Sequence, residues 1–164
     1  MIDPASFRDG MARLGSAVTL VTTDGPAGQH GFTASAVCSV TADPPTLLVC
    51  INRDVSSYAA FQTNAVLCVN VLGGLHEPLS NLFANRAVQM NERFAGAQWL
   101  TVATGSPVLA DSVVSFDCRI ADMNVVGTHC VTFCTIVAVH SRPGASDALV
   151  WCGRAYHRLP LLLA

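Results

Sequence analysis

The sequence contains no lysine, and all nine of its basic residues are arginine. This absence excludes Schiff-base chemistry, a P-loop lysine and a lysine general base. Glu77 and Glu92 are the only two glutamates, so an active site built on several glutamates is disfavoured. Charged residues make up 12% of the 164 residues, against roughly 25% in an average soluble domain. The net charge of -2 disfavours a protein that binds nucleic acid through its phosphates.

Several signals of location and chemistry are also missing. No apolar run reaches the ~20 residues of a membrane helix, and the N-terminus lacks the basic-then-apolar order of a signal peptide. We therefore expect a cytoplasmic protein with no membrane partner. No G-x-G-x-x-G follows a predicted strand, so a Rossmann dinucleotide site is not expected. No Ser-His-Asp or Cys-His arrangement can be assembled, which disfavours hydrolase chemistry.

The cysteines do not suggest a metal site. Their number is odd, most have apolar neighbours, and none forms the C-x-x-C pair that is typical of metal sites. They are predicted to be reduced, buried and not catalytic, and no metal is expected. The seven cysteines are at positions 38, 50, 68, 118, 130, 134 and 152.

Apolar residues are abundant and make up 51% of the chain. The length predicts a single domain over residues 1–164. Because so few charges are available to cover this domain, part of its surface is predicted to be buried against a second chain or a flat apolar ligand.

The hydrophobic pattern predicts a mainly β protein. A helix is expected at residues 4–14, and shorter ones start near Tyr58, with Asp54 or Ser56 as N-cap, and at residues 78–83 and 91–94. Most strands are neighbours joined by turns, so the predicted fold is a closed antiparallel barrel with a few short helices. The predicted strands are residues 17–23, 31–40, 46–51, 65–72, 112–126, 128–141 and 148–156.

Two polar clusters are candidate ligand sites. Thr33, Ser35 and Ser39 are predicted to share one face of strand 31–40, where small residues allow a ligand to approach the backbone. Ser56 and Ser57 stand beside Arg53 where a helix begins. A helix N-terminus and an arginine favour phosphate binding, whereas the alternative is that these serines only cap the helix.

The motif segments resemble the short-chain flavin reductases of two-component monooxygenases. The resemblance is carried by residues 33–40, 45–52, 67–71, 92–94, Gly127-Thr-His129 and Tyr156-His157. Residues 7–9, 22–28 and 77–83 are most similar to members that serve pyrimidine utilisation, and reductases of 4-hydroxyphenylacetate hydroxylation are a second match. Many members have Asp where this chain has Thr128.

The resemblance implies a homodimeric, FMN-binding Greek-key split barrel that reduces FMN with NADH for a flavin-dependent monooxygenase. FAD, NADPH and a non-enzymatic electron carrier remain alternatives. It implies that residues 33–39 line the flavin ring, that Asn52, Ser56 and Ser57 hold ribityl and phosphate, and that Arg93 closes the phosphate side. The implied cofactor-binding residues are Thr33, Ala34, Ser35, Ala36, Ser39, Cys50, Asn52, Ser56, Ser57, Asn70, Ser80, Asn81, Phe83, Arg93, Arg154 and Tyr156.

His129 is the catalytic candidate, and the resemblance implies that it faces the nicotinamide together with Arg154 and Tyr156. Hydride transfer from nicotinamide to flavin needs no proton from a side chain in the same step. We therefore expect His129 to position the nicotinamide. The alternative for a single histidine is a structural role in the core.

Overall fold

The computed structural model describes residues 2–145 and 147–162. Its helices are α1 (Pro4–Ala12), α2 (Tyr58–Asn64), α3 (Glu77–Ala84) and α4 (Met90–Ala95), with a 3-10 turn at Gly74–His76. The strands are β1 (Ser16–Ala17), β2 (Thr19–Thr23), β3 (His30–Ala34), β4 (Val37–Ala42), β5 (Pro45–Asn52), β6 (Val66–Val71), β7 (Trp99–Leu100), β8 (Val108–Leu109), β9 (Val114–Val126), β10 (His129–Ser141), β11 (Asp147–Cys152) and β12 (Ala155–Pro160).

The strands form an antiparallel architecture, which confirms the predicted mainly β fold with a few short helices. The main sheet has seven strands in the order β3-β2-β6-β9-β10-β5-β4, and β1-β11-β12 and β7-β8 form two smaller sheets. The barrel is not closed by a ladder, because β3 and β4 occupy opposite edges of the main sheet. They are joined through Ser35 and Ala36, and the Ala36 carbonyl accepts a hydrogen bond of 3.0 Å from the Cys50 amide.

Two predicted strands are wrong in their extent. Residues 31–40 form β3 and β4 rather than one strand, because β3 pairs with β2 whereas β4 pairs with β5. Residues 148–156 form a hairpin, in which Cys152 pairs with Ala155 across Gly153 and Arg154. Both turn residues have a positive φ, of 61° and 63°, which is typical of tight hairpin turns.

Two expectations about the helices also change. The N-cap of α2 is Ser57 rather than Asp54 or Ser56, and it makes no side-chain capping hydrogen bond. The predicted N-terminal helix is present as α1, and its N-cap Asp3 accepts the Ser6 amide at 2.9 Å. Its apolar side chains, however, remain exposed in this chain, including Phe7 at 55%.

The core consists of two apolar clusters on opposite sides of β2. Val21 belongs to one cluster and Leu20 to the other, as expected from the alternation of side chains along a strand. The same alternation in β5 buries Leu47, Val49 and Ile51. It leaves the intervening side chains of β5, including Cys50 and Asn52, half-buried on the opposite face. No helix of the described residues is long and apolar enough to cross a membrane.

Candidate active site

Four neighbouring cavities form a groove along the junction of β3 and β4. We name them the serine, histidine, tyrosine and α1 cavities, with volumes of about 320, 170, 350 and 530 Å³. Thr33 lines the first three, and Ser35 lines the last three. Because Ala34, Ser35 and Ala36 carry short side chains, the backbone is open to a flat ligand along this junction.

The serine cavity brings together three residues that are predicted to hold phosphate. It is lined by Ser56, Ser57 and Arg93, and by Phe83 behind them. Ser57 is 2% exposed and its hydroxyl is not used as a helix cap. Ser57 therefore occupies the N-cap position of α2 without a capping hydrogen bond from its side chain, which leaves its hydroxyl available to a ligand.

Arg93 lies at the base of this cavity and is 7% exposed. Its guanidinium donates to four backbone carbonyls, at 3.1 Å to Val88, 3.2 Å to Phe83, 2.9 Å to Asn85 and 3.5 Å to Gly31. Since a guanidinium has five N–H donors, at least one remains for a ligand.

The charge of Arg93 is not balanced by a carboxylate. In the described ranges the two ion pairs involve other residues, and burial lowers the pKa of the Arg93 guanidinium. The exposed Arg86 lines the same cavity and adds a second positive charge, although Asp54 also lines it. A buried cation that meets only neutral carbonyls is favourable for an anionic group such as a phosphate.

A chain of hydroxyl groups closes the tyrosine cavity. The Thr33 hydroxyl donates to the Ser80 carbonyl at 2.6 Å. The Tyr156 hydroxyl donates to Asn81 Oδ1 at 3.1 Å, so it accepts from the Ser80 hydroxyl at 2.9 Å. This network ties β12 to α3 and β3, and it presents Thr33, Asn81 and Tyr156 to the cavity beside Trp151.

The histidine cavity places His129 opposite two residues of β5. His129 pairs with Asn52 across the β5–β10 ladder, and both line the cavity with Cys50. The imidazole Nδ1 lies 2.9 Å from the Thr128 hydroxyl. Because His129 is exposed, the alternative of a core histidine is wrong.

Two predicted site residues lie outside the groove, and a third, Arg154, lies in it but is already paired. Asn70 is fully buried in the core, where its amide donates to the Leu20 carbonyl and accepts from the Leu109 amide and the Ser115 hydroxyl. Ser39 is exposed on β4 and lies outside the groove, since the break after β3 removes it from the face of Thr33. Arg154 lines the α1 cavity, where it is paired with Asp9.

Several lining residues were not predicted. Trp151 lines the tyrosine and α1 cavities, Arg86 the serine cavity, and Arg8 the α1 cavity. Arg86 stands in no recognisable motif, and Trp151 is indistinguishable from an ordinary core residue of a strand. Arg8 lies in the segment 7–9 that carries part of the resemblance, but the resemblance gave it no role. Only the hairpin of β11 and β12 brings this indole, which is tilted 72° to the Tyr156 ring at 4.8 Å, to the groove.

Burial disfavours the thiolate form of several cysteines. All seven cysteines are free, and four are buried as predicted. The prediction is wrong for Cys38, which is exposed on the edge strand β4, and Cys50 and Cys152 are only half-buried. Burial raises the pKa of the Cys50 thiol at the site, and burial raises the pKa of Cys134 to about 12. Because the thiolate is the reactive form, these environments support the prediction that no cysteine is catalytic. In the part of the chain that is described, no three His, Cys, Asp or Glu side chains form a group that could hold a metal ion.

The resemblance implies that His129→Ala lowers kcat by about tenfold, or about 1.4 kcal/mol, and raises the KM for NADH. The exposed ring is not part of the core, so the melting temperature and FMN affinity should change little. Stopped-flow and steady-state kinetics with NADH, measured beside thermal denaturation, test this. A stable variant with normal NADH kinetics would remove His129 from the site.

The chain matches the family described as Flavin reductase like domain over residues 11–160. It is 60% identical over 156 residues to FMN reductase (NADH) RutF of Bradyrhizobium diazoefficiens. The aligned residues cover 95% of this chain and 86% of that protein. It is 54% identical over 159 residues to FMN reductase (NADH) RutF of Escherichia coli K12, with coverage of 97% and 96%.

Solved structures show the same fold. A protein of Haemophilus somnus 129PT, provisionally named a flavin reductase, superposes with a TM-score of 0.93 and 49% identity over 96% of this chain and 100% of that one. BorF, the flavin reductase component of a bacterial two-component tryptophan halogenase, gives a TM-score of 0.89 at 27% identity, with coverage of 97% and 99%.

Proposed function

Because this chain belongs to the flavin reductase like family, we propose that it reduces FMN with NADH and passes the reduced flavin to a partner monooxygenase. The observation that carries this assignment within the site is the buried Arg93 beside Ser56 and Ser57, which fits the phosphate of a flavin mononucleotide. The names of the relatives support FMN and NADH, and FAD and NADPH are the alternatives.

The residues of the groove fit such a flavin. The phosphate is assigned to Arg93, Ser56 and Ser57, since these supply a cation with a spare donor and two hydroxyls. The ring is assigned to the junction of β3 and β4, where Ser35 and Ala36 leave the backbone accessible.

When bound, the nicotinamide donates a hydride and the flavin accepts it, so the cofactors supply the difficult chemistry. The residues of the groove would hold the two rings in contact. Thr33, Asn81 and Tyr156 fix one wall of the groove through their hydrogen-bond network. Cys50 stays protonated because burial raises the pKa of its thiol, and His129 orients the nicotinamide from the β10 edge.

The pathway we propose is pyrimidine catabolism. The resemblance to reductases of pyrimidine utilisation supports it, as does the RutF name shared by the relatives. The alternative is the supply of reduced flavin to a 4-hydroxyphenylacetate-type hydroxylase.

Catalytic turnover with free FMN separates a reductase from a flavin-binding electron carrier. A small amount of protein is mixed with excess NADH and FMN, and NADH oxidation is followed by absorbance. A reductase oxidises many equivalents of NADH per protein, and Ser56→Ala/Ser57→Ala should require more FMN for the same rate. Oxidation that stops after one equivalent would identify a carrier and contradict the proposal.

We also propose a homodimer in which the flavin lies near the interface. The support comes from exposed valines on the β9–β10 hairpin, among them Val125, Val126 and Val139, which are 56, 64 and 57% exposed. Val126 pairs with His129 across this hairpin. A second copy packed against Val125 and Val126 would therefore lie beside the histidine cavity.

Sedimentation velocity at micromolar concentration is expected to give twice the 17.2 kDa mass of one chain. The physical reason is the apolar area that association removes from water. Val126→Asp should shift the protein towards the monomer, because a carboxylate at that position would be desolvated in the interface. A wild-type monomer with full activity would contradict the dimer.

Two further proposals concern the whole chain. We propose that residues 1–164 act as one flavin-binding domain, which is supported by the two core clusters that share β2. We propose a cytoplasmic location, which is supported by seven free cysteines, since reducing compartments keep thiols unpaired.

A further inference from the structure

The α1 cavity carries two cationic side chains, and one of them is already neutralised. Arg8 and Arg154 both line this cavity. Asp9 of α1 forms an ion pair with Arg154, which lies in the turn between β11 and β12. The two partners are 63% and 62% exposed, so the pair lies where the cavity meets solvent.

This cavity lies away from the phosphate end of the groove. It shares Ser35, Ala36 and Cys50 with the histidine cavity, but it has no lining residue in common with the serine cavity that holds Arg93. With the flavin phosphate in the serine cavity, we place the second nucleotide in the α1 cavity, which has the largest volume of the four, about 530 Å³, and adjoins the cavity of His129. The inference below therefore rests on the proposed function.

We propose that Asp9 is a specificity-determining residue that favours NADH over NADPH. The 2′-phosphate of NADPH adds a charge of about -1.5 to -2 at pH 7. Of the two cations in this cavity, Arg154 already donates to the Asp9 carboxylate. A 2′-phosphate at Arg154 would have to displace that carboxylate and then lie beside it, which like-charge repulsion disfavours.

The ion pair of Asp9 with Arg154 contributes little to the stability of the fold, so its role in nucleotide binding can be tested by substitution. Exposed ion pairs contribute little to stability. The end of α1 is held independently, because the Gly153 amide donates to the Ala12 carbonyl at 2.6 Å. The start of α1 is capped by Asp3. An Asp9→Asn variant should therefore keep the helix and the melting temperature.

The test measures nucleotide binding as well as turnover. Dissociation constants for NADP⁺ and NAD⁺ are measured by quenching of tryptophan fluorescence, since Trp151 lines the cavity. In Asp9→Asn the NADP⁺ dissociation constant is expected to fall roughly three- to tenfold, and kcat/KM for NADPH should rise by a similar factor. The values for NAD⁺ and NADH should change less than twofold.

Two further variants make the result specific. Asp122→Asn removes the same charge from an exposed position on β9. It should leave the dissociation constants of both NAD⁺ and NADP⁺ unchanged. Asp9→Asn/Arg154→Gln should lose the NADP⁺ gain, because the phosphate then has no freed guanidinium. The inference would be overturned if Asp9→Asn left the affinity for NADP⁺ unchanged, or if it raised the affinities for NADP⁺ and NAD⁺ equally. A wild-type protein that neither binds NAD⁺ nor turns over FMN would instead overturn the proposed function.

Discussion

We expect Arg93→Ala to lower the free energy of unfolding by roughly 3–5 kcal/mol. The buried guanidinium donates to four backbone carbonyls, one in β3, one in α3 and two in the segment between α3 and α4. Its removal takes away the hydrogen-bond donor of these four carbonyls, and water reaches them only in part because the cavity is partly enclosed. For a chain of this size the melting temperature should fall by roughly 10 °C, which differential scanning fluorimetry measures without flavin.

Arg93→Lys separates the geometry of this residue from its charge. An ammonium keeps the positive charge but lacks the planar fork that reaches several carbonyls at once. We expect an intermediate loss of stability and a folded protein whose affinity for FMN is still measurable. An Arg93→Ala variant that melts at the wild-type temperature would show that the four hydrogen bonds contribute nothing.

The double variant Ser56→Ala/Ser57→Ala is expected to weaken FMN binding by several-fold to a hundredfold. Loss of hydroxyl hydrogen bonds to a charged phosphate costs about 1–3 kcal/mol. Because Ser57 makes no capping hydrogen bond, the melting temperature of the protein without flavin should stay within a few degrees of wild type. FMN affinity is measured by quenching of flavin fluorescence.

A matched control uses a serine outside the groove. Ser39→Ala, on the exposed edge strand β4, removes the same atom and should leave FMN affinity unchanged. The single variants apportion the effect, with the larger loss expected at the buried Ser57. Wild-type FMN affinity in a folded double variant would remove both serines from the phosphate site.

Local patterns in the sequence predicted most of the elements because their signals are short in range. The alternation of buried and half-buried side chains in β5 and the turn at Gly127 between β9 and β10 are both predicted from the sequence, and both are present. The absence of lysine and of a dinucleotide fingerprint excluded whole classes of chemistry. The motif segments indicated the family that the comparisons then confirmed.

The tertiary structure decided what depends on partners that are distant in the chain. Asn70 is a buried link between strands rather than a flavin ligand, because its partners Leu20 and Ser115 are 50 and 45 residues away. The predicted strand 31–40 is divided into β3 and β4 because β3 pairs with β2 whereas β4 pairs with β5. No local pattern encodes such a choice.

The same reason explains the charges of the groove. Arg93 reaches the Gly31 carbonyl across 62 residues, and Arg154 meets Asp9 across 145. The sequence by itself determined the strand-rich chain, its scarcity of charge and its reductase motifs. Only folding decided which arginine is buried beside the serines and which is neutralised at the α1 cavity, because burial and ion pairing depend on surroundings that the packed strands assemble.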